Sequence, residues 1–243
     1  MLDRRALDRE AHLWYLRPET LGDSDLPAYE TWLTADERHA IGRLRAADDR
    51  RDRLLTKAVT RSLLSACTGV APGAWRFHVD QHGKPMVEAP EPFRHLMFSV
   101  SHTNGLVACV LNTRRAVGVD VEHIDRPVGW REIASRRFNS TEIATLQRRP
   151  EPEQRRRFFE LWTLKESYAK ARGLGLRIPL DHTSFEVSDD RRVSVSFSEA
   201  LRDDSRRWSF AVDMIGESHV MAAAVAEAGV RVVCTAGTII RPA

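Results

Sequence analysis

The chain has 243 residues, 42% hydrophobic and 29% charged, a globular composition that excludes a disordered or fibrous protein. Its 37 Lys and Arg against 34 Asp and Glu leave a net charge of +3, and with only three Tyr and no basic patch interleaved with aromatics this argues against a nucleic-acid-binding module. The basic side is nearly all Arg, whose planar fork suits phosphate and carboxylate partners.

Met1 to Thr20 is crowded with Asp, Arg and Glu and holds no signal-peptide stretch, and no window approaches the ~18 uninterrupted apolar residues of a membrane span. Cys67, Cys109 and Cys234 lie far apart among small or apolar neighbours, without metal spacing. Buried free thiols in a cytoplasmic protein are expected.

From Asp36 to Ser65 the pattern predicts a helix, with Ile41, Leu44, Leu54, Leu55, Val59, Leu63 and Leu64 recurring at spacings of three, four and seven. Gly69 and Ala71-Pro72-Gly73 end it. Trp75 to Val79 alternates like a strand, followed by the turn His82-Gly83-Lys84-Pro85. Leu96 to Ser101 and Leu106 to Leu111 flank Asn104-Gly105 and should pair as a hairpin. Ala116 to Glu122 is a short strand carrying two carboxylates. Ser140 is read as an N-cap ahead of Glu142 to Leu146, and Glu153 to Arg172 as a long apolar helix closed by Gly173. Short strands are expected at Ser184 to Val187, Val193 to Phe197, Trp208 to Asp213, His219 to Ala226 and Val232 to Cys234. Leu96 to Leu111, with Ser101-His102 inside it, echoes Trp208 to Ala226, with Ser218-His219 inside it, and each pair of strands follows a helix. The echo hints at a duplicated α+β unit.

Asp120 and Glu122 carry the most information. In a strand alternate residues share a face, so these two point one way while Val119 and Val121 point the other. Two like charges about 7 Å apart repel, and burying them requires a cation. On the Glu153 to Arg172 helix, Glu166 and Lys170 stand at i and i+4, beside Trp162. If the two stretches converge, three carboxylates offer hard oxygen ligands for Mg²⁺, which completes its shell with waters and substrate phosphates. No Cys or His spacing offers zinc instead. These residues point to chemistry on a phosphate ester and leave the substrate open.

Four blocks in order, Gly83-Lys84-Pro85, Phe98-Ser99-Val100-Ser101-His102, Val117-Gly118-Val119-Asp120-Val121-Glu122 and Trp162-Thr163-Leu164-Lys165-Glu166-Ser167-Tyr168-Ala169-Lys170, resemble the Sfp-type 4′-phosphopantetheinyl transferase family. The similarity runs from about Asp36 to Pro179. It implies an α+β monomer of two similar α/β halves related by a pseudo-twofold duplication, each a small, mostly antiparallel sheet packed with a long helix. The halves are expected at residues 1–113 and 114–243, the second carrying the metal site, with coenzyme A in the cleft between them. The resemblance further implies that Asp120, Glu122 and Glu166 bind Mg²⁺, or Mn²⁺ in its place, together with the coenzyme's pyrophosphate. Lys84 and His102 would contact phosphates, with Ser101 and the backbone of residues 79–83, Gly83 and Pro85 beside them, near the adenosine end. Lys170 would sit at the bridging oxygen. Where the family places basic residues for the 3′-phosphate this chain has Glu37 and Ala40, leaving Arg38 or Arg43 to take that contact.

The implied reaction is attack by a serine of an apo acyl or peptidyl carrier protein on the coenzyme's β-phosphate, expelling adenosine 3′,5′-bisphosphate. Glu166, directly or through a water, accepts the serine proton and Lys170 stabilises the leaving phosphate. Arg131, Arg136, Arg137 and the run Arg155-Arg156-Arg157 offer a surface for an acidic carrier. The competing readings are a Mg²⁺-dependent nucleotide or pyrophosphate hydrolase, which leaves the Gly-Lys-Pro and Ser-His blocks unexplained, and, ranked below it, the nucleic-acid-binding module.

Overall fold

The computed structural model describes residues 8–237 and 239. It opens with strand β1 (Glu10–Leu16) and short helices α1 (Leu26–Glu30) and α2 (Ala35–Gly42), followed by helix α3 (Ala47–Thr68). A small hairpin, β2 (Arg76–Val79) and β3 (Pro85–Ala89), precedes a larger one, β4 (Met97–Thr103) and β5 (Leu106–Asn112). The order then repeats. Strand β6 (Val117–His123) leads to short helices α4 (Trp130–Arg137) and α5 (Ser140–Gln147) and to helix α6 (Glu151–Arg172). A small hairpin, β7 (Thr183–Val187) and β8 (Val193–Phe197), and a larger one, β9 (Ser209–Ile215) and β10 (His219–Val225), complete it before β11 (Arg231–Ala236).

Pairing repeats with the order. β1 runs antiparallel to β5 as β6 does to β10, in sheets ordered β11-β1-β5-β4 and β6-β10-β9. The α+β duplication is therefore a property of the whole topology. The Ser-His echo is not part of it: Ser101-His102 ends the first strand of its hairpin, whereas His219 begins the second strand of the other.

Period-two alternation explains how three cores share these strands. On β5, Val107, Cys109 and Leu111 join Leu63, Leu64 and Trp75 beneath α3, while Leu106, Ala108 and Val110 turn to the other face. There they meet Val117, Val119 and Val121 of β6 and Ala223 and Val225 of β10, forming a core between the two sheets. The other face of β10 packs Val220 and Ala222 with Phe158, Leu164 and Tyr168 of α6.

Several boundaries differ from the sequence reading. The helix expected from Asp36 to Ser65 is two helices, broken at residues 43–46, where the Arg50 guanidinium caps the Leu44 and Arg45 carbonyls at 2.8 and 2.9 Å. Helix α5 is capped by Asn139 rather than Ser140: the Asn139 side chain accepts the Glu142 N–H while the Glu142 carboxylate takes the Asn139 N–H. Strand β1 lies in a stretch for which no element was expected; it is held by β5 and by a parallel partner over two hundred residues away, β11. Cys67 and Cys109 are buried thiols, but Cys234 is exposed. Among the described residues no helix is long and apolar enough to cross a membrane.

Candidate active site

The alternation that sends Val117, Val119 and Val121 into the inter-sheet core turns Gly118, Asp120 and Glu122 toward α6. Gly118 has to be glycine: a Cβ there would lie 2.0 Å from the Ser167 carbonyl oxygen and 2.5 Å from the Ala171 nitrogen. Strand and helix backbones touch at that point, which brings the two carboxylates against the face holding Trp162, Glu166 and Lys170.

Asp120 and Glu122 are only 6% and 7% exposed, and each has the cationic or donor partner its burial demands. Lys170 Nζ lies 2.7 Å from Asp120 Oδ1 and donates to Ser101 Oγ at 2.8 Å, while Ser101 Oγ–H donates to the same Asp120 oxygen at 3.0 Å. Glu122 accepts the Trp162 indole N–H at 3.1 Å and pairs with Arg126 at 2.9 Å. Ser99 and Ser101 fasten β4 beside β6, their hydroxyls accepting the Val119 and Val121 N–H groups at 3.2 and 3.4 Å. A first-half strand thus holds the second-half carboxylates in place.

Burial, and then the neighbouring Asp120 charge, push Glu122 up to about 7; Arg126 and Lys170 oppose the rise. The same two causes, in the same order, bring Glu166 to about 7 against the opposing charges of Lys170 and Arg137. Two carboxyls therefore titrate near neutrality around a third, an arrangement characteristic of reactive sites. Asp120 Oδ2 and Glu166 Oε1 are buried without a hydrogen-bond partner. Such orphaned anionic oxygens are costly unless a cation or water meets them. Among the described residues no three His, Cys, Asp or Glu side chains stand close enough, as placed, to cage an ion. The donor set still fits Mg²⁺, whose preference is for hard oxygens with open positions left to waters and phosphates. Asp120 and Glu166 each have an oxygen to give, whereas both oxygens of Glu122 are engaged.

Two recesses share Gly83, Pro85 and Val100, and the second reaches this cluster at Lys170 and Ser99. The first, about 410 Å³, has an apolar wall including Phe77 and Val79 and a basic wall of Arg53, Lys57 and Arg61. The second, about 220 Å³, runs from His82 and Lys84 to Lys170. A larger hollow of about 540 Å³ between α6 and β7–β8 contains none of the motif residues.

Against this geometry the expected residues divide. Gly83 and Pro85 line both recesses, and His102 is exposed, within reach of the Arg53 and Lys170 charges. Ser101 is not at the Val79 end; it sits on Asp120 and Lys170. Lys84 has its ammonium on three main-chain carbonyls, of Val117, Lys170 and Ala171. Arg38 donates to the Leu33 and Glu30 carbonyls, and Arg43 is exposed at the end of α2; neither lines these two recesses. The basic wall comes instead from α3, where Lys57 and Arg61 hold Glu37 at 3.0 and 2.6 Å and exposed Arg53 stands alongside. Their spacing, four residues apart, was the signal in the sequence: residues 53, 57 and 61 share one helix face.

Of the arginines proposed as a carrier surface, Arg155 is spent on the Ile124 and Arg126 carbonyls, Arg157 on Val187 and Glu160, and Arg156 on Glu160. Arg131 and Arg136 form exposed pairs with Glu151 and Glu132. Arg137 reaches toward Glu166, on which its charge acts.

Two sequence profiles match. One described as the 4′-phosphopantetheinyl transferase superfamily covers residues 116–224, and one described as 4′-phosphopantetheinyl transferase, N-terminal, covers residues 23–114. The 4′-phosphopantetheinyl transferase HetI of Nostoc is 31% identical over 170 residues, 70% of this chain and 71% of that protein. A 4′-phosphopantetheinyl transferase of Bacillus subtilis is 31% identical over 183 residues, 75% of this chain and 78% of its own length. Among solved structures, a holo-(acyl-carrier-protein) synthase from Bacillus anthracis in complex with coenzyme A superposes with a TM-score of 0.40 at 14% identity, covering 47% of this chain and 96% of that one.

Proposed function

This chain belongs to the 4′-phosphopantetheinyl transferase superfamily, and we propose that it transfers the 4′-phosphopantetheine arm of coenzyme A to a serine of an acyl or peptidyl carrier protein, releasing adenosine 3′,5′-bisphosphate. The observation that carries the reading is the meeting of Lys170, Asp120 and Glu166 at one end of the paired recesses, with two buried carboxylate oxygens left without a donor.

Adenosine fits the first recess, its base against Phe77 and Val79 and its 3′-phosphate toward Arg53 and Lys57. The pyrophosphate then falls near Lys170, His102 and the carboxylates. Asp120 and Glu166 would hold Mg²⁺, or Mn²⁺, with their open oxygens, and Glu122 would be the third ligand. Bound there, the ion would supply neutralisation of phosphate charge. Lys170 meets the charge gathering on the leaving phosphate. Glu166, directly or through a water, would accept the serine proton. Arg137, at the same edge, faces the incoming acidic carrier. The halves divide near residues 113 and 114, and the site is complete within one chain, so a monomer suffices.

Intact-mass analysis tests the reading. A purified apo carrier incubated with the protein, coenzyme A and Mg²⁺ should gain one phosphopantetheine mass on its serine, and Glu166→Gln should abolish the gain in a folded protein. Breakdown of coenzyme A with the carrier mass unchanged would make the chain a hydrolase instead.

A further inference from the structure

Lysine 84 lies in a tightly tied turn. The Asp80 carboxylate accepts the His82 and Lys84 N–H groups at 2.8 and 2.9 Å, the Asp80 N–H donates to the Lys84 carbonyl at 2.9 Å, and Gly83 supplies the left-handed φ of +87° that closes the loop. From this fixed base the Lys84 stem runs past Gly173, where an added Cβ would lie 3.5 Å from Lys84 Cδ. Its ammonium ends on the carbonyl oxygens of Lys170 at 2.9 Å, Ala171 at 3.1 Å and Val117 at 3.2 Å.

An ammonium has three donors, and here all three have acceptors. Two of those acceptors belong to the last turn of α6, where carbonyls lack the i+4 helical donor, that of Lys170 accepting the Gly173 cap N–H at 3.2 Å, and where the helix dipole favours a positive charge. The third belongs to the first residue of β6. One side chain of the first half thus joins the two second-half elements that carry the site. The joint is next to the place where Gly118 presses on Ser167 and Ala171, and three residues from Asp120. A phosphate could take this ammonium only by breaking bonds that hold the helix end to the strand.

We propose that Lys84 is a positioning residue: it locks the C-terminal turn of α6 to the start of β6, and thereby holds Lys170 and Glu166 in register with Asp120. Its kinetic consequence rests on the transferase reading above; its structural consequence does not. In catalysis Lys84 acts through Lys170 and makes no phosphate contact of its own.

The test uses Lys84→Met, which keeps most of the stem and removes the donors, and Lys84→Arg, which keeps the charge but whose planar fork cannot serve three converging carbonyls. Hydrogen exchange followed by mass spectrometry should show faster exchange in peptides covering residues 166–174 and 117–122 of Lys84→Met, by about tenfold or more. With a carrier substrate, kcat should fall about tenfold or more in both variants, while coenzyme A affinity by calorimetry changes less than about threefold. Weakened coenzyme A binding with unchanged exchange and unchanged kcat at saturation would overturn the proposal and return Lys84 to the phosphates. Should the variants fail to fold, the wild-type protein decides the matter. Added coenzyme A should leave the exchange of residues 166–174 as slow or slower, and faster exchange on binding would mean that the ammonium leaves the helix for the ligand. If no carrier is ever modified, the transferase reading fails while the exchange results still judge the joint.

Discussion

Each of the chain's four lysines, Lys57, Lys84, Lys165 and Lys170, ends on oxygen atoms at 2.7–3.2 Å. In a sequence where arginine is otherwise the cation of choice, Lys84 and Lys165 stand where main-chain carbonyls converge on one compact ammonium. The carboxylates show the converse economy. Glu122 and Glu166, both raised to about 7 by burial and by Asp120, favour the protonated form in the folded protein. Their contribution to stability is complete below the unfolded carboxyl range and is lost as pH rises through about 7. Without a divalent ion the protein should therefore melt at a lower temperature at pH 8 than at pH 5.5 on account of these groups. Glu166→Gln should flatten that slope and melt above the wild type at pH 8. Melting curves across this range check it, and parallel pH profiles for the two proteins would contradict it. Added Mg²⁺ should stabilise the wild type more at pH 8 than at pH 5.5, since protons compete for the same oxygens.

At the scale of elements, the clearest case is a residue that the motif holds for structure. Lys165 is adjacent to Glu166 in sequence yet points away from the carboxylate cluster, fully buried, with its ammonium 2.8 Å from Glu142 and bonded to Leu180 and Thr183. Glu142 also accepts the N–H groups of Asn139 and Phe185, so the pair pins α5, α6 and β7 together. Removing one partner strands the other: Lys165→Met should cost about 3–5 kcal/mol of stability, whereas Lys165→Met with Glu142→Gln, which removes the stranded charge and keeps an acceptor for the Asn139 and Phe185 N–H groups, recovers part of it. Chemical denaturation measures both, and equal losses would show that the charge pair does not matter. The same elements show what was legible in the sequence. The hairpin at Asn104-Gly105, the strand carrying Asp120 and Glu122, and the closure of α6 at Gly173 follow from local turn chemistry and alternation. The β1 strand did not, because its partners are β5 and the distant β11 and its alternation is broken by buried His12. The break after α2 was hidden because apolar spacing continues across it while Arg50 caps the carbonyls from beyond.

For the whole molecule, duplication sets where chemistry can occur. Two similar units place their sheets face to face over a shared core, and the edges of that contact are stitched by polar bonds: Ser99 and Ser101 to β6, the Arg17 side chain to the Ile215 carbonyl, and His219 to the Asn104 carbonyl. The carboxylates come from one half, while the serine that orients Lys170 and the recesses' basic wall come from the other. Motif order in the sequence pointed to Asp120, Glu122, Glu166 and Lys170. It could not show that Lys84 faces carbonyls, that Ser101 belongs with Asp120, or that Arg38 is turned away, since each depends on how the halves meet. The central claim is that strand β6 and helix α6 share one divalent ion through Asp120 and Glu166. Calorimetric titration of Mg²⁺ into the protein with coenzyme A present tests it most directly. One site is predicted for the wild type, weakened about tenfold or more in both Asp120→Asn and Glu166→Gln; equal affinity in the wild type and both variants would contradict it.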